Sequence, residues 1–158
     1  MTPATPLSPL QLKDHRFTHL RVTSIEGGSA TAEPSLKPTI WYEPVPNTAD
    51  QWKLVLTLQL ASADPAKPYA YEAEIKIQGL VQVTDGFMQA KKEQLALVNG
   101  LSILYSAARE MLLNITSRSA SGAVSLPTLS FVNLVAEAIK QRAQPPAQPQ
   151  PTQTHAPA

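Results

Sequence analysis

The chain is 158 residues long, 43% hydrophobic, 6% aromatic and 16% charged, which suits one domain able to bury a sizeable core. Its 13 lysines and arginines nearly balance 12 aspartates and glutamates, and a net charge of +1 creates no field to gather nucleic acid or acidic lipid headgroups. The absence of cysteine excludes disulfides, thiolate nucleophiles and sulfur-ligated metals, and no stretch approaches the roughly 18 consecutive apolar residues of a membrane-spanning helix.

Residues 1–13 hold prolines at 3, 6 and 9 and no basic segment followed by an apolar run, so they are expected to be unstructured and not a secretory signal; with the missing cysteines, this points to a cytoplasmic protein. A first strand is expected over residues 17–25, with imperfect alternation before Gly27 and Gly28. Residues 52–60 are clearer. Trp52, Leu54, Leu56, Leu58 and Leu60 occupy the even positions and Lys53, Thr57 and Gln59 lie opposite, as a half-buried strand requires. Over residues 69–83, Tyr69, Tyr71, Ala73, Ile75, Ile77, Val81 and Val83 face one way, while Glu72, Glu74, Lys76, Gln78 and Gln82 face the other. The prolines of segment 62–68 interrupt pairing, and the two runs form an antiparallel hairpin.

After Gly86 the period changes. Leu97, Leu101, Leu104, Ala108, Met111 and Ile115 make one stripe of a long helix expected over residues 97–117, widened by Tyr105 and Leu112. Ile103 and Leu113 fall outside the stripe, so the second helix face is not purely polar and an intersubunit contact is expected there, with Tyr105, Met111 and Leu112 divided between core and interface. Residues 119–122 end the pattern, and Ser130 can cap a last helix over residues 131–142, striped by Phe131, Leu134, Val135, Ala138 and Ile139. Strands followed by helices specify an α+β domain, expected over residues 14–142. The proline- and glutamine-rich tail, residues 143–158, is expected to be unstructured.

Little in the chain advertises catalysis. There is no nucleophile elbow, phosphate-cradling loop or dinucleotide fingerprint, and His15 and His19 lack a third ligand nearby, so no enzyme activity, cofactor or metal is expected. Glu72 and Glu74 share a strand face with Lys76 and Gln78, which suits a solvated face better than an acid/base pair. Trp41, Tyr42, Trp52, Leu80, Val81, Phe87 and Met88 admit two readings: ordinary core packing, or an adaptable apolar groove.

Residues 103–110 (I-L-Y-S-A-A-R-E) resemble the I-L-F-P-Y-A-R-E stretch of the bacterial export chaperone SecB, and residues 126–131 (L-P-T-L-S-F) are similar to its L-P-P-V-N-F element before the last helix. Residues 71–81, with Glu74, Gln78 and Gly79, resemble its third strand more loosely. The resemblance implies a four-stranded antiparallel sheet carrying two helices, a homotetramer built as a dimer of dimers, and grooves that hold unfolded polypeptides without ATP, in the family's case for export. Trp41, Tyr42, Trp52, Leu80, Val81, Phe87 and Met88 are then the groove candidates, and Ile103, Tyr105 and Leu113 the interface candidates. The resemblance also implies a contact with the SecA motor through carboxylates on the open sheet face. Only Glu72 and Glu74 are plausible counterparts in this near-neutral chain, so weak or no SecA binding is expected. The alternative is a chaperone or adaptor dedicated to one partner, such as an antitoxin.

Overall fold

The computed structural model describes residues 7–84 and 87–143. Four strands come first, β1 (Leu10–Ser24), β2 (Pro34–Pro44), β3 (Gln51–Ser62) and β4 (Tyr71–Val83), followed by helices α1 (Gln89–Thr116) and α2 (Val132–Ala143). The strands form one antiparallel sheet in the order β1-β4-β3-β2. This is the α+β arrangement expected from the sequence, with α1 lying across one face of the sheet. Of the tail expected to be unstructured from residue 143, Ala143 ends α2, and residues 144–158, like residues 1–6, lie outside the described residues.

The alternation in β3 and β4 decides which face is covered. Leu54, Leu56 and Leu58 pair with Gly79, Ile77 and Ile75, and all these side chains point toward α1, where they are fully buried against Leu97, Leu101 and Leu104. Two glycines set the distance between the layers. A Cβ on Gly100 would meet the Leu54 Cδ1 at 2.5 Å, and one on Gly79 would meet the Leu104 Cδ2 at 2.8 Å, so a side chain at either position would displace the leucine packed against it.

β1 is longer than expected: it begins at Leu10, so residues 10–13, expected to be unstructured, belong to the sheet. Its register shifts between Leu12 and Asp14 and between Phe17 and His19. Each shift returns the apolar positions to the helix side, so that Leu10, Leu12, Phe17, Leu20 and Val22 all fall on one face despite imperfect alternation in sequence. The same shifts put His15 opposite Gly79 on the helix side and His19 opposite Lys76 on the open side.

The N–H of Val45 donates to Gln51 O (2.9 Å) and the N–H of Ala63 donates to Glu33 O (3.0 Å), which fixes the odd-numbered residues of β2 as the ones bonded to β3. Pro34, Pro38 and Pro44 therefore all sit at positions whose backbone faces away from the sheet, where a missing N–H breaks no ladder bond.

The connection between α1 and α2 is held to the core at three points. Tyr71 Oη donates to Gly122 O at 2.6 Å, Tyr105 Oη donates to Pro127 O at 2.5 Å, and Thr116 Oγ1 accepts from the Val124 N–H at 2.9 Å. Tyr105 also meets the Phe131 ring edge-on, with centroids 5.7 Å apart, which seats the start of α2. Burial raises the Tyr105 hydroxyl above its ordinary value of 10.0, with Arg109 opposing the rise, and burial likewise raises Tyr69. The unfolded chain would release these protons first, so their stabilising contribution is complete below about pH 10 and is lost as pH rises through the folded values. Tyr105→Phe should lower stability at neutral pH by about 1 kcal/mol, the typical net value of one hydrogen bond. It should also flatten the alkaline decline, and urea titrations at pH 7 and above pH 10 measure both.

Candidate functional site

The seven groove candidates divide among three places. Trp52 (2% exposed), Val81 and Tyr42 are core residues on the helix-facing side of the sheet and offer no surface to a partner in this chain. Trp41, in β2, and Leu80, in β4, lie on the opposite, open face. Phe87 and Met88 stand just before α1.

The last pair marks an apolar surface. Phe87 is 42% exposed and Met88 more so. Phe87, Leu95 and Val98 line a hollow of about 350 Å³ with Val132, the first residue of α2, which is itself 50% exposed. Among the described residues, Lys91 is the one charged group in its wall. Leu95 and Val98 come from α1 one turn apart, so the helix carries one side of the hollow and the start of α2 the other. Val132, Leu95 and Val98 were missed from the sequence. Leu95 and Val98 precede or interrupt the stripe starting at Leu97, and Val132 lies outside the stripe of the last helix. An exposed surface of this kind, built from aromatic, aliphatic and methionine side chains, suits apolar segments of varied shape and has no arrangement of groups for covalent chemistry.

The interface candidates also separate. Ile103 and Leu113 are exposed on α1, whereas Tyr105 is buried and belongs to the core through its bonds to Pro127 and Phe131. The long edge of β1 is close to Ile103 in the fold: Leu10 and Ile103 line one hollow between strand and helix. Glu72 and Glu74 lie on the open face, where Glu74 is 3.5 Å from Arg21 and 3.8 Å from His19, so its charge is partly matched within the chain.

At the far edge, the Arg142 guanidinium lies 5.0 Å from the Tyr42 ring centre and ties the end of α2 to β2. Burial and then Glu93 push the Tyr42 hydroxyl upward, while Arg142 pulls it down.

No protein-family model matches the chain, and no curated protein matches it. Among solved structures it is similar to the SecB-like chaperone Rv1957 of Mycobacterium tuberculosis, in complex with a ChAD peptide from the Rv1956 HigA1 antitoxin: TM-score 0.58, 18% identity, covering 77% of this chain and 91% of that one. This chain has a SecB-like fold. A protein of unknown function from Streptococcus agalactiae is more distant, at TM-score 0.43 and 14% identity over 75% of this chain and 96% of that one. Among the described residues, neither the open sheet face nor the outer face of α1 is covered by another element.

Proposed function

We propose that this chain is a chaperone-like, polypeptide-binding protein that holds non-native segments without nucleotide and without covalent chemistry, acting in the cytoplasm. The observation that carries the reading is the exposed apolar hollow at the junction of the two helices, formed by Phe87, Leu95, Val98 and Val132 with Met88 beside it. The SecB-like fold supports it. Extended client segments would bury apolar side chains there with weak sequence preference, because the described residues of the hollow offer one charge and few polar groups to impose one.

A dedicated partner is favoured over general export service by two observations. The similar structure of Rv1957 holds a peptide from an antitoxin, and the carboxylates on the open face of this chain, Asp14, Glu43, Glu72 and Glu74, are interspersed with Arg16, Arg21, Lys53 and Lys76 instead of forming the carboxylate-rich surface that a contact with SecA would need. The chain also assembles with itself in this reading, through β1 and the outer face of α1, as a dimer or a dimer of dimers.

The test is aggregation of a chemically denatured protein diluted into buffer lacking nucleotide. Suppression by this chain at a few-fold molar excess is the expected result. No effect on several unrelated substrates, with tight binding to one co-expressed partner, would replace the general holdase with the dedicated chaperone. No effect and no partner would overturn both.

A further inference from the structure

The open sheet face carries a second surface of different chemistry. Trp41, Val55, Gln78 and Arg16 are paired in succession across the four strands, forming one row. Trp41 is 48% exposed although Trp52, the other tryptophan, is in the core. Lys53 Nζ stands 5.9 Å from the Trp41 ring centre. Lys76 comes from the adjoining row, opposite Thr57. Trp41, Lys53, Val55, Lys76 and Gln78 line a hollow of about 340 Å³ whose wall has two lysines and no carboxylate.

The distribution of charge on this face is uneven. Glu74, in the row next to Lys76, is engaged with Arg21 and His19 and not with Lys76, and Glu72 lies one further row out. Asp14 and Glu43 line the neighbouring hollow with Arg16 and Lys53, yet no ion pair joins them to either base among the described residues. Lys76 likewise has no acidic partner among the described residues. The result is an exposed indole beside Lys53 and Lys76, with Val55 as an apolar floor and Arg16 at the end of the row.

We propose that this face is a docking site for an acidic peptide segment that carries an apolar or aromatic residue, the ring seated against Trp41 and Val55 and the carboxylates over Lys53, Lys76 and Arg16. Charge complementarity at the hollow identifies the partner: a basic segment would meet Lys53 and Lys76 across a wall that has no carboxylate among the described residues, and a wholly apolar one would leave both lysines without a counter-charge in that wall. The site is independent of the hollow at Phe87, which lies at the start of α1 on the other side of the sheet.

Two labelled eight-residue peptides, one alternating glutamate with phenylalanine and the other lysine with phenylalanine, test the site by fluorescence anisotropy on the full chain. The glutamate peptide should bind at least about tenfold more tightly at low salt, lose most of that advantage by about 0.3 M salt, and shield Trp41 from acrylamide. Lys53→Glu combined with Lys76→Glu should reverse the order of the two peptides. Trp41→Ser should weaken the glutamate peptide while circular dichroism reports an unchanged fold. Equal binding of the two peptides, tighter binding of the lysine peptide, no binding of either, or an order unaffected by charge reversal would each overturn the proposal. Because aggregation suppression is measured separately, loss of this site leaves the holdase reading standing, and loss of the holdase reading leaves this site standing.

Discussion

Replacing Phe87 and Val132 together by serine should reduce capture of denatured protein by one to two orders of magnitude while leaving the fold intact. Both side chains are about half exposed, so neither is needed to close the core. A client segment covering them would recover part of the roughly 1.5 to 3 kcal/mol that full burial of such a side chain provides. Taking about half for each gives around 2 kcal/mol for the pair, or about thirtyfold in the dissociation constant. Aggregation curves measured against increasing chaperone concentration give the shift directly, and an unchanged urea midpoint shows that the loss is local. A double variant as effective as the parent would remove the hollow from the account of function.

The second large effect concerns assembly. Leu20, on β1, and Ile103, on α1, are both exposed, and the backbones of Leu12, Phe17, Leu20 and Val22 face outward along an edge that contains no proline between residues 10 and 24. In an isologous contact each substitution appears twice, so Leu20→Lys with Ile103→Lys should weaken association by at least 3 kcal/mol, about a hundredfold or more. Light scattering at micromolar concentration should give a dimeric or tetrameric mass for the parent and a monomeric one for the variant. A monomeric parent would refute this part of the proposed function, and an oligomeric variant would move the contact elsewhere.

The hairpin of β3 and β4 and the core stretch of α1 were legible because their patterns are regular and one face is buried throughout. Other parts were hidden for identifiable reasons. β2 holds three prolines, which in sequence argue against a strand, and only its place at the sheet edge, with those prolines turned outward, makes the element compatible with pairing. β1 was read short because its two register shifts break the alternation on which strand recognition rests. The first turns of α1, residues 89–96, are rich in glutamine, lysine, glutamate and alanine; they form helix by propensity and carry too few apolar residues to show a stripe. The site was harder still. An aromatic residue in the sequence does not say which side of a sheet it occupies. Trp52 shares the leucine stripe of its strand, whereas Trp41 lies in a segment without readable alternation, and only the register puts it on the open face.

The outward prolines of β2 also limit how far copies of this chain can join edge to edge. Of the two sheet borders, one has lost half of its outward-facing amide donors at Pro34, Pro38 and Pro44, and its Tyr42 is clasped by the end of α2; the other, though bent by two register shifts, has no proline and keeps its amide donors. A unit with a single adhesive border is satisfied after one such union, because the product presents only blunted rims. Assembly of that kind terminates by itself, and ribbon growth into fibres is closed off by where three rings fall in the sequence.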